Sequence, residues 1–244
     1  MVRRFRGGAG MSPREPVETV LLDAGGVLIM PAAEAVIAIL RVGGVQADVG
    51  VIDRAHYAAT AANDAFPPRN RLLYLNAFAR ACGVEDDRVE RVVVELAIAI
   101  DGPKWTRELA GAAKSLRALS SLPVALGVVS NSVGVVAEQL RQAGICQVGP
   151  GTGTPVSLVI DSALVGVAKP DPGIFHLALR ELDAEPGRTV YVGDTARIDV
   201  DGALAAGIRP LHLDPHRDCP DPPGRHEHLR SLGDLAAWVH AHGR

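Results

Sequence analysis

Three things are scarce in this sequence. Cysteine is the first: the 244 residues hold only Cys82, Cys146 and Cys219. Three scattered thiols exclude a disulfide framework and suit a reduced, cytoplasmic protein. Basic charge is the second, since 25 Lys and Arg against 28 Asp and Glu give a net charge of −3. That balance offers no cationic excess for a phosphate backbone, so no nucleic-acid partner is expected. Long apolar runs are the third. Although 48% of the residues are hydrophobic, no run approaches the roughly 20 residues of a membrane span, and no membrane partner is expected. The chain is long enough to bury a full core and act on a small molecule.

The first sixteen residues, MVRRFRGGAGMSPREP, set Arg3, Arg4, Arg6 and Arg14 among Gly, Ser and Pro. They cannot pack a core, and residues 1–16 are read as a disordered tail. The Arg3-Arg4 pair precedes GGAGMSPREP and no apolar stretch, which does not fit a twin-arginine export signal and leaves Met11 as an alternative start.

Residues 17–30, VETVLLDAGGVLIM, place the apolar run Val20-Leu21-Leu22 before Asp23 and a Gly25-Gly26 turn. A continuous apolar run belongs to a parallel strand buried on both faces, and paired glycines mark a sharp exit from it. Asp23 therefore stands at a strand end, where open α/β sheets hold their ligands. It is a candidate nucleophile or metal ligand. The same carboxylate can also serve an Asx turn by accepting from the following amides.

Three later segments repeat this arrangement. Residues 124–129 form a second strand-like run ending in Ser130-Asn131-Ser132, before a helical pattern over 135–143. A hydroxyl and backbone amides there can hold a phosphate oxygen or simply cap the helix. The segment GVAKPDPGIF presents Lys169 on a backbone stiffened by Pro170 and Pro172. This lysine suits neutralisation of a carboxylate and a phosphoryl group, or else a solvated surface. Finally, a strand over 189–192 ends in Gly193-Asp194, with Asp199 close behind. Two carboxylates near a strand end suit Mg²⁺, or a turn.

In the order and identity of these motifs, residues 17–213 resemble the haloacid dehalogenase superfamily. The first motif stands as Asp23-Ala24-Gly25-Gly26-Val27-Leu28, the second maps on Ser130, the third on Lys169 and the fourth on Asp194 and Asp199. The resemblance implies an α/β fold: a Rossmann-like parallel-sheet core over 17–30 and 105–244, with a helical C1-type cap inserted over 31–104. It implies a Mg²⁺-dependent phosphatase or phosphotransferase in which Asp23 is the nucleophile and Ser130 and Lys169 are catalytic. Mg²⁺ would be held by Asp23, the Gly25 carbonyl, Asp194 and Asp199. Asn131, Gly26 and His56 are the expected substrate contacts. Lys169 is expected to lower the pKa of Asp23 through its opposite charge.

The sequence departs from the family's phosphatases at one position. Their second Asp, two residues after the nucleophile, protonates the leaving group; here that position is Gly25. General acid–base help is worth about 10²- to 10⁴-fold in rate, so acyl or aryl phosphates are expected to outperform alkyl phosphates. His56 is the residue whose chemistry suits the missing proton transfer. The expected partner is a small phosphorylated metabolite, and the expected state a monomer or homodimer. Two other readings stay open: a weakly active or non-catalytic protein that binds a phosphorylated ligand, and dehalogenase-type chemistry, against which the metal-suited Asp194 weighs.

Helical periodicity predicts four cap helices over 32–41, 53–65, 71–82 and 86–100. Glu34, His56, Tyr57, Asn63, Arg69, Asn70 and Tyr74 are candidate specificity residues. Beyond the cap, strands near 124–129, 156–160, 189–193 and 208–213 alternate with helices near 106–120, 133–143, 173–182 and 199–206, and a helix over 231–242 closes the chain. Glycine-rich residues 148–155 precede a strand and are read as a loop, not a dinucleotide site. His212, His216, Cys219, His226 and His228 lack paired zinc-ligand spacing, sit among prolines, and are read as a surface loop.

Overall fold

The computed structural model describes residues 15–68 and 70–243. Most of the expected N-terminal tail, and Arg69, lie outside the described residues. Among the described residues, ten strands occur in chain order: β1 (Thr19–Leu22), β2 (Ile29–Pro31), β3 (Trp105–Glu108), β4 (Ala125–Ser130), β5 (Cys146–Val148), β6 (Thr154–Val156), β7 (Leu158–Asp161), β8 (Thr189–Gly193), β9 (Arg209–Leu213) and β10 (Glu227–Leu229). The helices are α1 (Ala33–Val42), α2 (Val49–Ala65), α3 (Arg71–Ala81), α4 (Asp86–Ala99), α5 (Ala112–Leu119), α6 (Val136–Gln142), α7 (Ser162–Val165), α8 (Pro172–Leu182), α9 (Asp201–Ala205) and α10 (Leu235–His242).

Six strands form one parallel sheet in the order β10-β9-β8-β1-β4-β7. The apolar runs dictate this: β1 and β8 are buried at every position, as strands covered on both faces must be. One cluster, including Val20, Leu22, Val128 and Val192, fills one side of the sheet. A second, built on Phe175, Tyr191 and Leu21, fills the other. Each fully buried Leu or Val contributes about 1.5–3 kcal/mol relative to exposure, so the central strands and their ends are fixed by packing. The architecture is the expected α/β, Rossmann-like fold.

Helices α1 to α4 bury a separate cluster around Phe78, Leu96, Ile52 and Leu40. Their starts are marked by local chemistry. Asp48 caps α2 by accepting from Val51 N–H at 2.9 Å, and Asn70 caps α3 through Leu72 N–H at 2.8 Å. Among the described residues, no helix is long and apolar enough to cross a membrane.

Three stretches differ from the sequence expectation. The segment read as a surface loop over His212 to His228 contains β10, which pairs with β9, and buries His212 and the His226 side chain. The helix expected over 106–120 begins only at α5, because Trp105–Glu108 pairs antiparallel with β2 to form the two-stranded neck of the helical insert. The strand expected over 156–160 is divided at Ser157: β6 pairs with β5, while β7 joins the main sheet. The turn after β8 is a π-helical one over Ala196–Val200, leading directly into α9.

Candidate active site

Strand register assembles the site. Leu22 pairs with Val128 on one side and Val192 on the other. Asp23 therefore leaves β1 level with the last turns of β4 and β8, and its N–H donates to Val192 O at 2.8 Å. Ser130 ends β4, and Asp194 follows β8. All three are buried.

Lys169 is the electrostatic centre. Its Nζ lies 2.8 Å from Asp23 Oδ1 and 2.8 Å from Asp199 Oδ1, and it donates to the Tyr191 hydroxyl at 2.7 Å. Burial alone would discharge this lysine, but the Asp199 and Asp23 carboxylates outweigh it and raise its pKa. The backbone that carries it is clasped by Asn131, whose Oδ1 accepts from Lys169 N–H at 2.8 Å and whose Nδ2 donates to Lys169 O at 2.9 Å. The Asn131 side chain, expected at the substrate, is thus spent on holding the lysine.

Asp199 faces Lys169 with one oxygen and Thr195 with the other; Oδ2 accepts from Thr195 Oγ1 at 2.6 Å and Thr195 N–H at 3.1 Å. Burial works against its charge, but Lys169 and these donors prevail and hold its pKa low. Gly193 is required by this packing, since a Cβ there would lie 2.3 Å from the Asp199 side chain. Asp23 behaves differently. Burial, reinforced by Asp199 and Asp194, overcomes Lys169 and raises its pKa to about 6. The expected direction was downward. Lys169 is shared with Asp199, so it cannot neutralise both carboxylates.

Oxygens of Asp23, Asp194 and Asp199 lie within 4.8 Å of one another. Three carboxylates so placed, with a single lysine among them, have the hard-oxygen chemistry that Mg²⁺ requires. The raised pKa of Asp23 registers its burial and, after that, the neighbouring Asp199 and Asp194 charges. Both Asp199 oxygens already accept hydrogen bonds, which leaves Asp23 and Asp194 as the freer donors.

A cavity of about 530 Å³ opens onto this cluster. Asp23, Gly25, Ser130, Asn131, Lys169, Asp194 and Asp199 line it from the sheet side; His56, Thr60, Asn63, Arg71 and Tyr74 line it from the helical insert. His56 is buried, with Nε2 2.8 Å from Asp194 Oδ2 and Nδ1 2.9 Å from the Tyr74 hydroxyl. Gly26 is not at the cavity. It adopts φ +72°, its N–H donates to Ile29 O at 2.9 Å and its carbonyl accepts from the Tyr57 hydroxyl at 2.8 Å. That makes it a hinge for the turn and not the expected substrate contact. Of the other specificity candidates, Asn70 caps α3 and Glu34 lies exposed on α1. At the start of α6, the Gly134 and Val136 amides donate to Asp161 Oδ2, so that helix end is already satisfied.

Thr60, Arg71 and Trp105 are cavity residues that sequence reasoning passed over. Thr60 had a signal: His56, Thr60 and Asn63 fall at helical i, i+4, i+7 spacing on one face of α2. Trp105 explains Gly25, since a Cβ at that position would lie 3.2 Å from the Trp105 ring. The indole occupies the space into which a residue-25 side chain would project.

Among curated relatives, phosphoserine phosphatase of Thermus thermophilus is 42% identical over 67 residues, 28% of this chain and 27% of that protein. Haloacid dehalogenase-like hydrolase domain-containing protein 3 of Bos taurus is 31% identical over 140 residues, 54% of this chain and 53% of that one. The chain thus spans about half or less of the length of these relatives. Among solved structures, the HAD-hydrolase YfnB of Bacillus subtilis, bound to magnesium, superposes with a TM-score of 0.59 at 18% identity, covering 92% of this chain and 99% of that one. A 2-haloacid dehalogenase from Pseudomonas syringae gives 0.53 at 19% identity, covering 92% and 98%. At such identities these two establish the fold alone. The model of the haloacid dehalogenase-like hydrolases matches residues 17–207, and the chain belongs to that family.

Proposed function

We propose that this hydrolase is a Mg²⁺-dependent phosphatase or phosphotransferase acting on a small phosphorylated metabolite through an aspartyl-phosphate on Asp23. The observation that carries the reading is Lys169 Nζ held 2.8 Å from Asp23 at the mouth of a cavity that Ser130 and Asp194 also line. The phosphatase names of two relatives, phosphoserine phosphatase and a glyceraldehyde 3-phosphate phosphatase of Methanopyrus kandleri, support it.

In this reading an Asp23 oxygen attacks phosphorus, a new O–P bond forms and the bond to the leaving oxygen breaks. Lys169 and the Ser130 hydroxyl hold phosphoryl oxygens as charge moves onto them. Asp199 fixes Lys169 and takes no direct part. Bound by Asp23, Asp194 and the Gly25 carbonyl, Mg²⁺ would supply charge neutralisation between an anionic nucleophile and an anionic phosphate. Water then cleaves the aspartyl-phosphate. The helical insert acts as a cap: Thr60, Asn63, Arg71 and Tyr74 face the phosphate site across the cavity and select the rest of the substrate.

Gly25 provides no proton for the leaving group. His56 sits next to Asp194 within the same cavity and is the nearest titratable group of the insert to the carboxylate cluster. Substrates whose leaving group needs no proton, such as acyl and aryl phosphates, are favoured.

The test is hydrolysis of acetyl phosphate, p-nitrophenyl phosphate and an alkyl phosphate, with and without Mg²⁺, by the intact chain and by Asp23→Asn. Mg²⁺-dependent turnover that falls roughly 10⁴-fold or more in the variant, with the activated phosphates preferred, is expected. Absence of turnover and of phosphoenzyme with all three would overturn the phosphatase reading in favour of a protein that only binds phosphorylated ligands.

A further inference from the structure

A second group of ligand-bearing side chains lies behind the active site. His212, Cys219, His226 and His228 each present one donor atom, all within 4.8 Å of one another. Read as a sequence, these residues lack paired spacing. The fold creates the pairing: β9 and β10 run parallel with His212 opposite His228, and the loop between them folds back to bring Cys219 and His226 over the same point. His216, the fifth member of the run, lies outside the group, with its ring 5.8 Å from that of Tyr57.

The separations fit one ion. His212 Nδ1 is 3.1 Å from His226 Nε2, and Cys219 Sγ is 3.6 Å from the same nitrogen. Tetrahedral zinc with bonds of about 2.05 Å to nitrogen and 2.3 Å to sulfur places nitrogens about 3.3 Å apart and sulfur about 3.6 Å from nitrogen.

The outer contacts also fit. A ligating imidazole normally donates its second N–H to a carbonyl or carboxylate. His212 Nε2 lies 3.1 Å from Asp194 O, and His228 Nδ1 lies 3.1 Å from Asp214 Oδ2. These bonds leave His212 Nδ1 and His228 Nε2 as lone-pair donors toward the cluster. His226 Nδ1 is buried without a hydrogen-bond partner, and the nearest carboxylate, Asp221, is 3.7 Å away. His212 Nδ1 and His228 Nε2 therefore turn lone pairs toward a point shared with His226 Nε2 and the Cys219 thiol, where the contacts to His226 Nε2 join the cluster to itself.

We propose that His212, Cys219, His226 and His228 form a structural Zn²⁺ site that staples the loop between β9 and β10. Three nitrogens and a thiolate are soft enough for zinc and wrong for Mg²⁺, and four protein ligands close the coordination sphere, which is the structural and not the catalytic pattern. The loop it fixes carries Asp218 to Arg54 on α2 and Asp221 to Arg197 in the π-helical turn. His212 connects the zinc to Asp194 through the carbonyl of that residue. The site does not depend on the phosphatase reading.

The experiment is a Co²⁺ titration of the metal-stripped, untagged full chain, with Zn²⁺ content measured on the protein as purified. About one Zn²⁺ per chain is expected, with Co²⁺ giving tetrahedral d–d bands and a thiolate charge-transfer band that saturate near one equivalent. Cys219→Ser should lose the charge-transfer band while the fold, followed by circular dichroism, persists. His226→Ala should weaken the Co²⁺ binding that gives these bands at least tenfold, whereas Asp23→Asn should keep the same tetrahedral and charge-transfer bands. A parent chain without tetrahedral Co²⁺ bands overturns the site, as does binding that survives both ligand changes or that vanishes with Asp23→Asn. A copper ion in place of zinc in the purified chain overturns the metal assignment.

Discussion

Two clusters of ligating side chains sit at the same end of the sheet and differ in every property that selects a metal. Around Asp23 the donors are carboxylate oxygens, crowded against one lysine and open to a cavity of about 530 Å³. Around His226 they are imidazoles and a thiol, closed over by a loop. The first geometry leaves room for a substrate oxygen and the second leaves none. Asp194 belongs to both surroundings, with its carboxylate in the first cluster and its carbonyl on His212 of the second. The contrast teaches that an open, charge-imbalanced site suits exchange of ligands, whereas a closed site in which His212 and His228 are each held by an outer hydrogen bond suits permanent occupancy.

The largest effect should come from unbalancing the open cluster. Lys169→Gln removes the cation shared by two buried carboxylates, and breaking such a pair costs about 3–5 kcal/mol. Urea denaturation of the metal-free variant should show that loss, and saturating Mg²⁺ should recover part of it. Co²⁺ affinity at the His–Cys cluster should stay within twofold of the parent. An equal loss at both clusters would show that they are a single cooperative unit and would dissolve the distinction.

A second change sharpens the account of Gly25. Gly25→Asp restores a carboxyl where the family's phosphatases carry one, and that position lacks the left-handed backbone seen at Gly26. Its Cβ would lie 3.2 Å from the Trp105 ring, so the indole must yield by a few tenths of an ångström. Turnover of an alkyl phosphate relative to p-nitrophenyl phosphate should rise about tenfold, short of the full 10²–10⁴ available to a well-placed acid. An unchanged ratio would show that the leaving group already receives its proton from elsewhere, with His56 the first residue to test.

The pH response of the open cluster should span about a factor of ten. Asp23 is raised from 3.8 to about 6 by burial and by Asp199 and Asp194. Between those values the folded chain holds a proton that the unfolded chain has released, so metal-free stability falls as pH rises through this window. Mg²⁺ competes with that proton. Its affinity, followed by calorimetry, should therefore rise about tenfold from roughly pH 5 to pH 7 and then level off. A flat profile would mean that Asp23 is ionised throughout and that Lys169 dominates its environment after all.

How much of this was legible in the sequence follows from the same contrast. Asp23, Ser130 and Asp194 each end an apolar strand-like run, which local pattern shows, but Lys169 alone reads equally as a solvated lysine, and it took the order of the motifs and their resemblance to the superfamily to bring it to the same sheet edge. The fold class followed from the same apolar runs. What escaped was relational. Gly26 looked like a phosphate contact until Tyr57 was found on its carbonyl, and Asn131 looked like a ligand until both ends of its amide were found on the Lys169 backbone. The direction of the Asp23 shift depends first on its burial, with Asp199 and Asp194 adding to it against Lys169, and no spacing encodes that balance. The His–Cys cluster escaped most completely, because its key pair, His212 and His228, is created by strand register across a long loop.

The smallest predicted effect tests whether that loop stands on its own. Asp218 pairs with Arg54 of α2, but the arginine side chain is 44% exposed and the carboxylate 24%. Exposed pairs of this kind contribute about 0–1 kcal/mol because water and salt screen them. Arg54→Ala should therefore lower stability by less than about 1 kcal/mol, and less still at high salt, while Co²⁺ affinity stays within twofold. If the zinc ligands hold the loop, losing its contact with the insert changes little. A larger loss of stability, accompanied by weaker Co²⁺ binding, would reverse the order of cause: α2 would then be arranging the ligands, and the second cluster would depend on how the insert is seated over the first.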